Sequence, residues 1–386
     1  MNPAGPDGAP LWNRRQGNVG AGRDWGHGRE TVTEGTAAGA DRLPGPADLL
    51  DGSGQETVDA VVDGDRRGPL AVVGSPFAGR RAVLDDLADR LDATRVHVGP
   101  AGPDHGGGTG WAEAEDADTG VDLRIRTGPD ADGPGRETAD AIVDGGATVV
   151  SGCHHLYTRR VGGFEPLDTC LDAVAGADST VVTGWNRYAW TYLAAVRDLD
   201  RAVPERVEVG PLDAAALSEL LLARYDDIPT FERDDDLSLF TRRQVSVAGV
   251  DLRLPALDRA ALAARRGNDP DPRDVVFERL AAVSEGNAGV ATTLWERARG
   301  SEVRPGDVPD VDQPGLDRET AFCLRVVLAS ERAHRADLAA VVGDDTERAI
   351  GRLRRNDLVT VDGDWVALSP AAVPTAVAET ERERIL

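Results

Sequence analysis

The sequence of 386 residues contains no lysine, so all 43 of its basic side chains are arginines. Without lysine the protein has no Schiff-base nucleophile, no lysine general base and no lysine to hold the phosphates of a nucleotide. Aromatic residues make up only 4% of the chain, and there are three cysteines. Such an odd, sparse set of cysteines is typical of reduced thiols, which argues against a disulfide framework.

Long apolar runs are also missing. No stretch approaches the roughly 18 consecutive apolar residues that a membrane-spanning helix needs. The first 20 residues lack the apolar centre of a secretory signal. The sequence therefore predicts a cytoplasmic protein with no membrane partner.

Acidic residues dominate the charge, with 67 Asp and Glu against 43 Arg and a net charge of −24. Because periodic Leu, Val and Ala segments recur along the chain, we interpret it as folded rather than disordered. A coat of carboxylates keeps a protein hydrated and soluble in concentrated salt. The net charge is thus typical of a halophilic organism with an acidic proteome, and it says little about a binding partner. It also argues against non-specific nucleic-acid binding by the whole surface.

Changes in composition and periodicity divide the chain into five segments. The start is rich in Gly, Ala, Asn and Arg without any period, and a later stretch is rich in Gly, Pro and Asp. The predicted boundaries are 1–41 for a disordered leader, 42–210 for an α/β core, 211–299 for a helical lid, 300–315 for a linker and 316–386 for a winged helix. An insertion at 99–120 has no predicted structure.

The fold class follows from the order of the periodic segments. Short apolar strands alternate with amphipathic helices from residue 69 to 209, which predicts a parallel sheet with helices on both faces. Residues 211–299 are mostly helical, with one small β-hairpin around Gly249. The last segment has three helices followed by two strands that flank Gly363, the order of a winged helix. We therefore predict a parallel-sheet α/β core with a helical lid, followed by an α+β winged helix. Together with the glycine-rich loop at residues 74–79, this order of elements makes the predicted core P-loop NTPase-like.

A glycine-rich loop between the first strand and the next helix is the strongest functional signal. Its glycines have the spacing of a Walker A loop, whose backbone N–H groups and helix N-terminus hold phosphates. Arg80 replaces the phosphate-binding lysine, and Arg81 replaces the Ser or Thr that binds Mg²⁺. The predicted nucleotide-binding residues of this loop are Gly74, Ser75, Pro76, Phe77, Ala78, Gly79, Arg80 and Arg81.

The strand that would carry the Walker B acids lacks them. Residues 147–150 form an apolar run, but Ser151 and Gly152 follow in place of two carboxylates. Nothing there holds a metal or orients a water, so we expect weak or absent ATP hydrolysis and assign no catalytic residue. The next residues, Cys153, His154 and His155, are adjacent and cannot all point at one ion, so no metal site is predicted.

In this order of parts the chain resembles AAA+ and STAND-type P-loop ATPases, and in particular archaeal Orc1/Cdc6-like proteins, over residues 42–386. The resemblance implies a sensor 1 role for Asn186, which alternatively caps the helix that follows. It also implies a sensor 2 arginine in the lid, where residues 286–289 have none. Three motifs have lost their charged groups, which implies a pseudo-ATPase. ATP or ADP is the candidate cofactor, and Mg²⁺ is not expected.

The winged helix carries arginines at helical spacing. Arg348, Arg352 and Arg355 recur at i, i+4 and i+7, which predicts one cationic face for DNA or a protein partner. The alternative is a solvated face paired with nearby acids. From residue 316 onward 13 acids outnumber 10 arginines, which favours protein contact or structural packing over DNA.

Three functional hypotheses remain open after the sequence. The first is an ATPase-like switch or scaffold that binds nucleotide weakly or not at all and contacts a partner through the winged helix. The second is a winged-helix transcriptional regulator whose P-loop-like domain no longer binds nucleotide. The third is an ATPase that uses atypical residues. The sequence specifies neither the partner nor the oligomeric state.

Overall fold

The computed structural model describes residues 49–66, 68–100, 123–127, 133–144, 146–225, 227–233, 240–247, 250–257, 271–310 and 313–385. The predicted leader at 1–41 and nearly all of the insertion at 99–120 lie outside these residues. Within the described ranges, no helix is long and apolar enough to cross a membrane.

The core is a six-stranded sheet in which every pair of neighbours is parallel. Its spatial order is β3-β2-β4-β5-β1-β6, so β5 and β4 lie between the consecutive strands β1 and β2. All five residues of β1 are buried, as expected for a strand covered on both faces. The strands are β1 (Leu70–Gly74), β2 (Thr94–Pro100), β3 (Leu123–Thr127), β4 (Thr148–Ser151), β5 (Val181–Asn186) and β6 (Glu205–Glu208).

Helices cover both faces of this sheet. Val72 belongs to one buried apolar cluster and its neighbours Ala71 and Val73 to the other, because successive side chains of a strand point to opposite faces. The helices are α1 (Gly52–Val62), α2 (Arg80–Leu91), α3 (Pro134–Asp144), α4 (Glu165–Gly176), α5 (Arg187–Val196) and α6 (Leu199–Ala202). The predicted α/β core is confirmed.

The lid follows the core. It contains α7 (Ala214–Leu222), β7 (Thr230–Phe231), β8 (Phe240–Val247), β9 (Val250–Leu257), α8 (Pro272–Ser284) and α9 (Ala288–Ala298). Strands β8 and β9 pair antiparallel, as the predicted hairpin requires, with Val247 opposite Val250. In the predicted linker, β10 (Glu302–Val303) pairs with β7, and Val303 and Val308 are fully buried.

The C-terminal segment has a winged-helix-like fold. Its elements are α10 (Arg318–Ser330), β11 (Arg332–His334), α11 (Arg335–Val342), α12 (Thr346–Arg355), β12 (Val359–Asp362), β13 (Trp365–Leu368) and α13 (Val373–Arg382). The sequence predicts two strands here, and the structure adds β11 to form an antiparallel sheet in the order β11-β13-β12. Leu324 and Leu353 share one apolar cluster with Leu294 and Trp295 of the lid, so the winged helix packs on the rest of the protein through a continuous core.

Candidate anion-binding site at the P-loop

The glycine-rich loop connects β1 to α2 at the carboxyl edge of the sheet, where ligands bind in open α/β folds. Phe77 and Gly79 adopt left-handed backbone conformations, with φ of 62° and 92°. A Cβ on Gly74 would lie 2.7 Å from Cγ of Arg80, so only glycine leaves room for the Arg80 side chain to fold back over the loop. The Arg80 side chain thus lies over Gly74, at the start of the predicted loop.

Arg80, in the place of the Walker A lysine, is almost completely buried, with 6% of its surface exposed. Its Nη1 donates to the carbonyl oxygen of Gly74 at 2.9 Å and to that of Trp185 at 3.4 Å. Its Nη2 donates to Oε1 of Glu331 at 2.6 Å, which is a charge-assisted contact. The guanidinium therefore joins the loop of the core to the winged helix.

Asn186 caps the helix that follows it, which is one of the two roles predicted for it, and its amide nitrogen contacts the C-terminal segment. Its Oδ1 accepts from the backbone N–H of Tyr188 at 2.8 Å, and so it caps the N-terminus of α5. Its Nδ2 donates to the carbonyl oxygen of Leu328 and to Oε1 of Glu331, each at 2.9 Å. Because Gly74 lies opposite Asn186 in the β1–β5 register, the cap and the loop are neighbours.

Glu331 is the residue of this site that sequence reasoning missed. It lies between α10 and β11, and its carboxylate reaches across to the carboxyl edge of the core sheet. Its backbone has φ 60° and ψ −39°, which is uncommon for a residue with a side chain. A glutamate at a helix end carries no pattern that connects it with a loop 251 positions earlier in the chain. Only the tertiary structure shows the contact.

Two adjacent histidines, His154 and His155, lie near this site, and His154 borders the carboxylate of Glu331. His154 is buried, with 3% of its surface exposed, and neither ring nitrogen has a hydrogen-bond partner among the described residues. Its Nε2 lies 3.6 Å from Oε1 of Glu331, just beyond hydrogen-bond distance. Burial holds the pKa of His154 well below its ordinary value, and the nearby His155 and Arg80 lower it further. Burial likewise lowers the pKa of His155 to about 3, so both rings are neutral at physiological pH.

The end of β4 carries Ser151 and Gly152 and therefore no carboxylate. Oγ of Ser151 lies 2.9 Å from Nδ1 of His97 and 3.3 Å from the carbonyl oxygen of Val96. Gly152 has φ 75°, and a Cβ there would lie 2.0 Å from the carbonyl oxygen of Val98. Among the residues that the structure describes, no three His, Cys, Asp or Glu side chains are placed to hold a metal ion. The buried thiol of Cys153 contacts the carbonyl oxygen of Val150 at 3.4 Å, and burial raises its pKa well above the ordinary value.

The lid helix α9 lies directly on the loop. Gly289, where the resemblance places a sensor 2 arginine, donates its backbone N–H to the carbonyl oxygen of Phe77 at 2.9 Å. A Cβ on Gly289 would lie 2.6 Å from Cβ of Phe77, so this position has no room for a side chain. Nδ2 of Asn287 adds a bond of 2.7 Å to the carbonyl oxygen of Pro76. The packing of the loop against the lid thus leaves no room for an arginine side chain at position 289.

A cavity of about 510 Å³ adjoins these residues and lies between the loop, α9 and the wing. This volume is in the range of small-molecule sites. Four arginines line it, which are Arg80, Arg81, Arg297 and Arg332. The acids in its lining are Glu331 and Asp362. The cavity is therefore rich in positive charge, although the protein as a whole carries −24.

The three arginines predicted on the winged helix differ in their contacts and exposure. Nη1 of Arg352 forms an ion pair with Asp317, and its Nη2 donates to the carbonyl oxygen of Gly315 at 2.9 Å, so this side chain ties α12 to the start of α10. Arg348 contacts Asp345 at 3.1 Å but remains largely exposed. Arg355 is exposed as well. The cationic face therefore has two outward-facing members of the predicted three.

No family model matches the sequence, and no curated protein matches it. Several solved structures are similar to it. They include the Holliday junction branch migration motor RuvB of Thermotoga maritima, with a TM-score of 0.37, 12% identity and coverage of 85% of this chain and 95% of RuvB. The Aeropyrum pernix Orc1 protein in complex with DNA has a TM-score of 0.35, 16% identity and coverage of 86% and 94%. The Aeropyrum pernix Orc2 protein has a TM-score of 0.35, 11% identity and coverage of 86% and 92%.

The chain itself defines the class of fold. The phosphate-loop strand lies inside a parallel sheet, a helical lid lies on the loop, and a winged helix follows. These features define a P-loop NTPase-like α/β core with a helical lid and a winged-helix-like domain.

Proposed function

We propose that this protein is a pseudo-ATPase, a AAA+-related switch or scaffold that contacts a partner through its winged helix. One observation carries the proposal: Arg80 and Asn186, the groups expected to face a terminal phosphate, both donate to the carboxylate of Glu331. The side chains of Arg80 and Asn186 thereby hold the winged helix in place of a nucleotide.

The remaining groups support nucleotide binding without a metal. The loop keeps its two glycines and leads into the N-terminus of α2, where backbone N–H groups favour an anion. Arg81 and Ser151 replace the usual Mg²⁺ ligands. ATP or ADP is therefore the proposed cofactor, without Mg²⁺, and its proposed contacts are Gly74, Ser75, Pro76, Phe77, Ala78, Gly79, Arg80, Arg81 and Asn186.

We expect ATP turnover far below the roughly 1–100 s⁻¹ of typical kinases, because no carboxylate follows β4 to hold Mg²⁺. The measurement is phosphate release by the purified protein in molar KCl, beside equilibrium binding of ATP and ADP with and without Mg²⁺. Any nucleotide binding is expected to be independent of Mg²⁺. The variant Arg80→Gln serves as the control, since turnover that persists in it comes from a contaminant. Mg²⁺-dependent turnover that is lost in Arg80→Gln would contradict the pseudo-ATPase and favour an ATPase with atypical residues.

The alternative of a winged-helix transcriptional regulator rests on the exposed arginines of α12. We expect the double variant R348Q/R355Q to leave DNA affinity unchanged, because the acids of the winged helix outnumber its arginines. Fluorescence anisotropy over a salt titration measures this. A clear loss of affinity, with a shallower salt dependence, would favour the regulator. The matched variant R352Q is expected instead to lower the free energy of unfolding, by about 1 kcal/mol, because Arg352 contacts Asp317 and Gly315 within the protein.

A further inference from the structure

We infer that Arg80, Asn186 and His154 form an oxyanion site that Glu331 fills from within the protein, and that a free phosphate group competes with the Glu331 carboxylate for it. The inference rests on the proposed switch and specifies how it is operated. Binding of the phosphate would detach the turn between α10 and β11 from the core. As long as the Glu331 carboxylate occupies the site, this turn stays attached to the core.

The donors converge on a single atom. Arg80 and Asn186 donate to Oε1 of Glu331 from two different elements of the core, at 2.6 and 2.9 Å. The guanidinium fork suits carboxylate and phosphate groups alike. A phosphate oxygen in the place of Oε1 would therefore keep both bonds.

The carboxylate leaves part of the site unused. Both ring nitrogens of His154 are buried without a partner among the described residues, and Nε2 is 3.6 Å from Oε1. A buried polar group without a hydrogen bond requires an explanation. A neutral imidazole still has one N–H to donate. A phosphate group, which has more oxygens than one carboxylate and is larger, would reach His154 as well as Arg80. The site thus has more donor capacity than Glu331 uses.

The backbone conformation of Glu331 is consistent with a carboxylate that another anion can displace from the site. Its φ of 60° and ψ of −39° lie in a region that residues with a Cβ rarely adopt. The ion pair with Arg80 and the bond from Asn186 hold it there. When another anion takes over these donors, the turn is free to relax to an ordinary conformation.

An approach for the anion is present. The cavity of about 510 Å³ is lined by both Arg80 and Glu331, and Arg297 and Arg332 line it from the lid and from the strand that follows Glu331. Positive charge along a cleft concentrates anions and guides them inward. An anion can therefore reach Arg80 along this cavity while the sheet and its helices stay folded.

The Glu331 carboxylate and a phosphate group compete for the same donors. A variant in which residue 331 binds these donors less tightly must therefore bind the anion more tightly. The test variant is Glu331→Gln, which keeps the size of the side chain and an oxygen that can accept from Arg80, but removes the charge. The probe is pyrophosphate without Mg²⁺, measured by titration calorimetry in constant KCl with EDTA. We expect E331Q to bind it at least about tenfold more tightly than the wild type, within the usual range of coupling between sites.

Two controls separate the site from general electrostatics. Glu302→Gln changes the net charge by the same amount at an exposed position, and it is expected to leave pyrophosphate affinity unchanged. The double variant R80Q/E331Q is expected to lose the gain, since Arg80 is the principal donor. Hydrogen exchange gives an independent readout: pyrophosphate should lower the protection of residues 328–334 in the wild type and have little effect on them in E331Q.

The inference fails if folded E331Q binds pyrophosphate no more tightly than the wild type, or if the gain survives Arg80→Gln. If E331Q does not fold, Glu331→Asp withdraws the carboxylate by one methylene, and the same gain and the same loss apply. Comparing ADP with pyrophosphate in E331Q distinguishes a nucleotide from a simple phosphate compound as the ligand, and binding of either one supports the site. Mg²⁺-dependent ATP turnover would overturn the proposed function, whereas absence of this competition would overturn only the present inference.

Discussion

Replacing Gly152 with alanine is expected to lower the free energy of unfolding by about 4 kcal/mol. Gly152 has φ 75°, and a left-handed backbone is strained in residues with a Cβ. The added Cβ would also lie 2.0 Å from the carbonyl oxygen of Val98, which is backbone of the neighbouring strand β2 and cannot turn aside. Strain and overpacking each cost roughly 1–3 kcal/mol. Denaturant unfolding in high salt measures the loss.

Gly64 provides the matched control for this prediction. Its φ is 76°, but a Cβ there would have nothing within 4 Å. Gly64→Ala therefore isolates the conformational part of the cost, about 1 kcal/mol for a single residue. Equal losses in the two variants would mean that the approach of Val98 plays no part.

The prediction for Gly152 also concerns function. A second Walker B acid would stand at this position, and every such side chain begins with the Cβ that the backbone of β2 excludes. We therefore expect that exchanging Ser151 and Gly152 for acids destabilises the protein without creating ATPase activity. In this interpretation the missing acid reflects how closely β2 and the end of β4 approach each other.

Replacing Arg80 with methionine is expected to cost about 3–5 kcal/mol of unfolding free energy, because it leaves the carboxylate of Glu331 largely buried without its cation. Glu331→Gln alone leaves Arg80 buried with a neutral acceptor and is expected to cost less. The double variant should be more stable than the sum of the two losses predicts, with a coupling of about 2 kcal/mol, since neither charge is then buried alone. Denaturant unfolding of the four proteins of this double-mutant cycle measures the coupling.

An exposed ion pair gives the comparison. Arg66 and Glu205 are 2.9 Å apart, and about half of each side chain is exposed. The same cycle on this pair is expected to give less than about 1 kcal/mol, because water screens the two charges. If the two cycles give the same coupling, then burial does not strengthen the contact between Arg80 and the winged helix.

Local patterns in the sequence determined the elements and their order. The continuous apolar run at Leu70–Gly74 is a buried strand, and Asn186 caps the helix that follows it, because both features depend on residues close together in the chain. The exchanges at Arg80, Arg81 and Ser151 were likewise visible without a structure, since a Walker motif has fixed spacing. The fold class and the altered residues of the Walker motifs were therefore predictable from the sequence.

Only the tertiary structure decided which groups the residues at these altered positions contact. The partner of Arg80 is 251 positions away, and no periodicity or spacing connects them, because the contact exists only once the winged helix has packed on the core. The same holds for Gly289 against Phe77 and for Arg352 against Asp317. Periodicity fixes which face of an element is buried, whereas the choice of partner for a charged group depends on how distant elements pack.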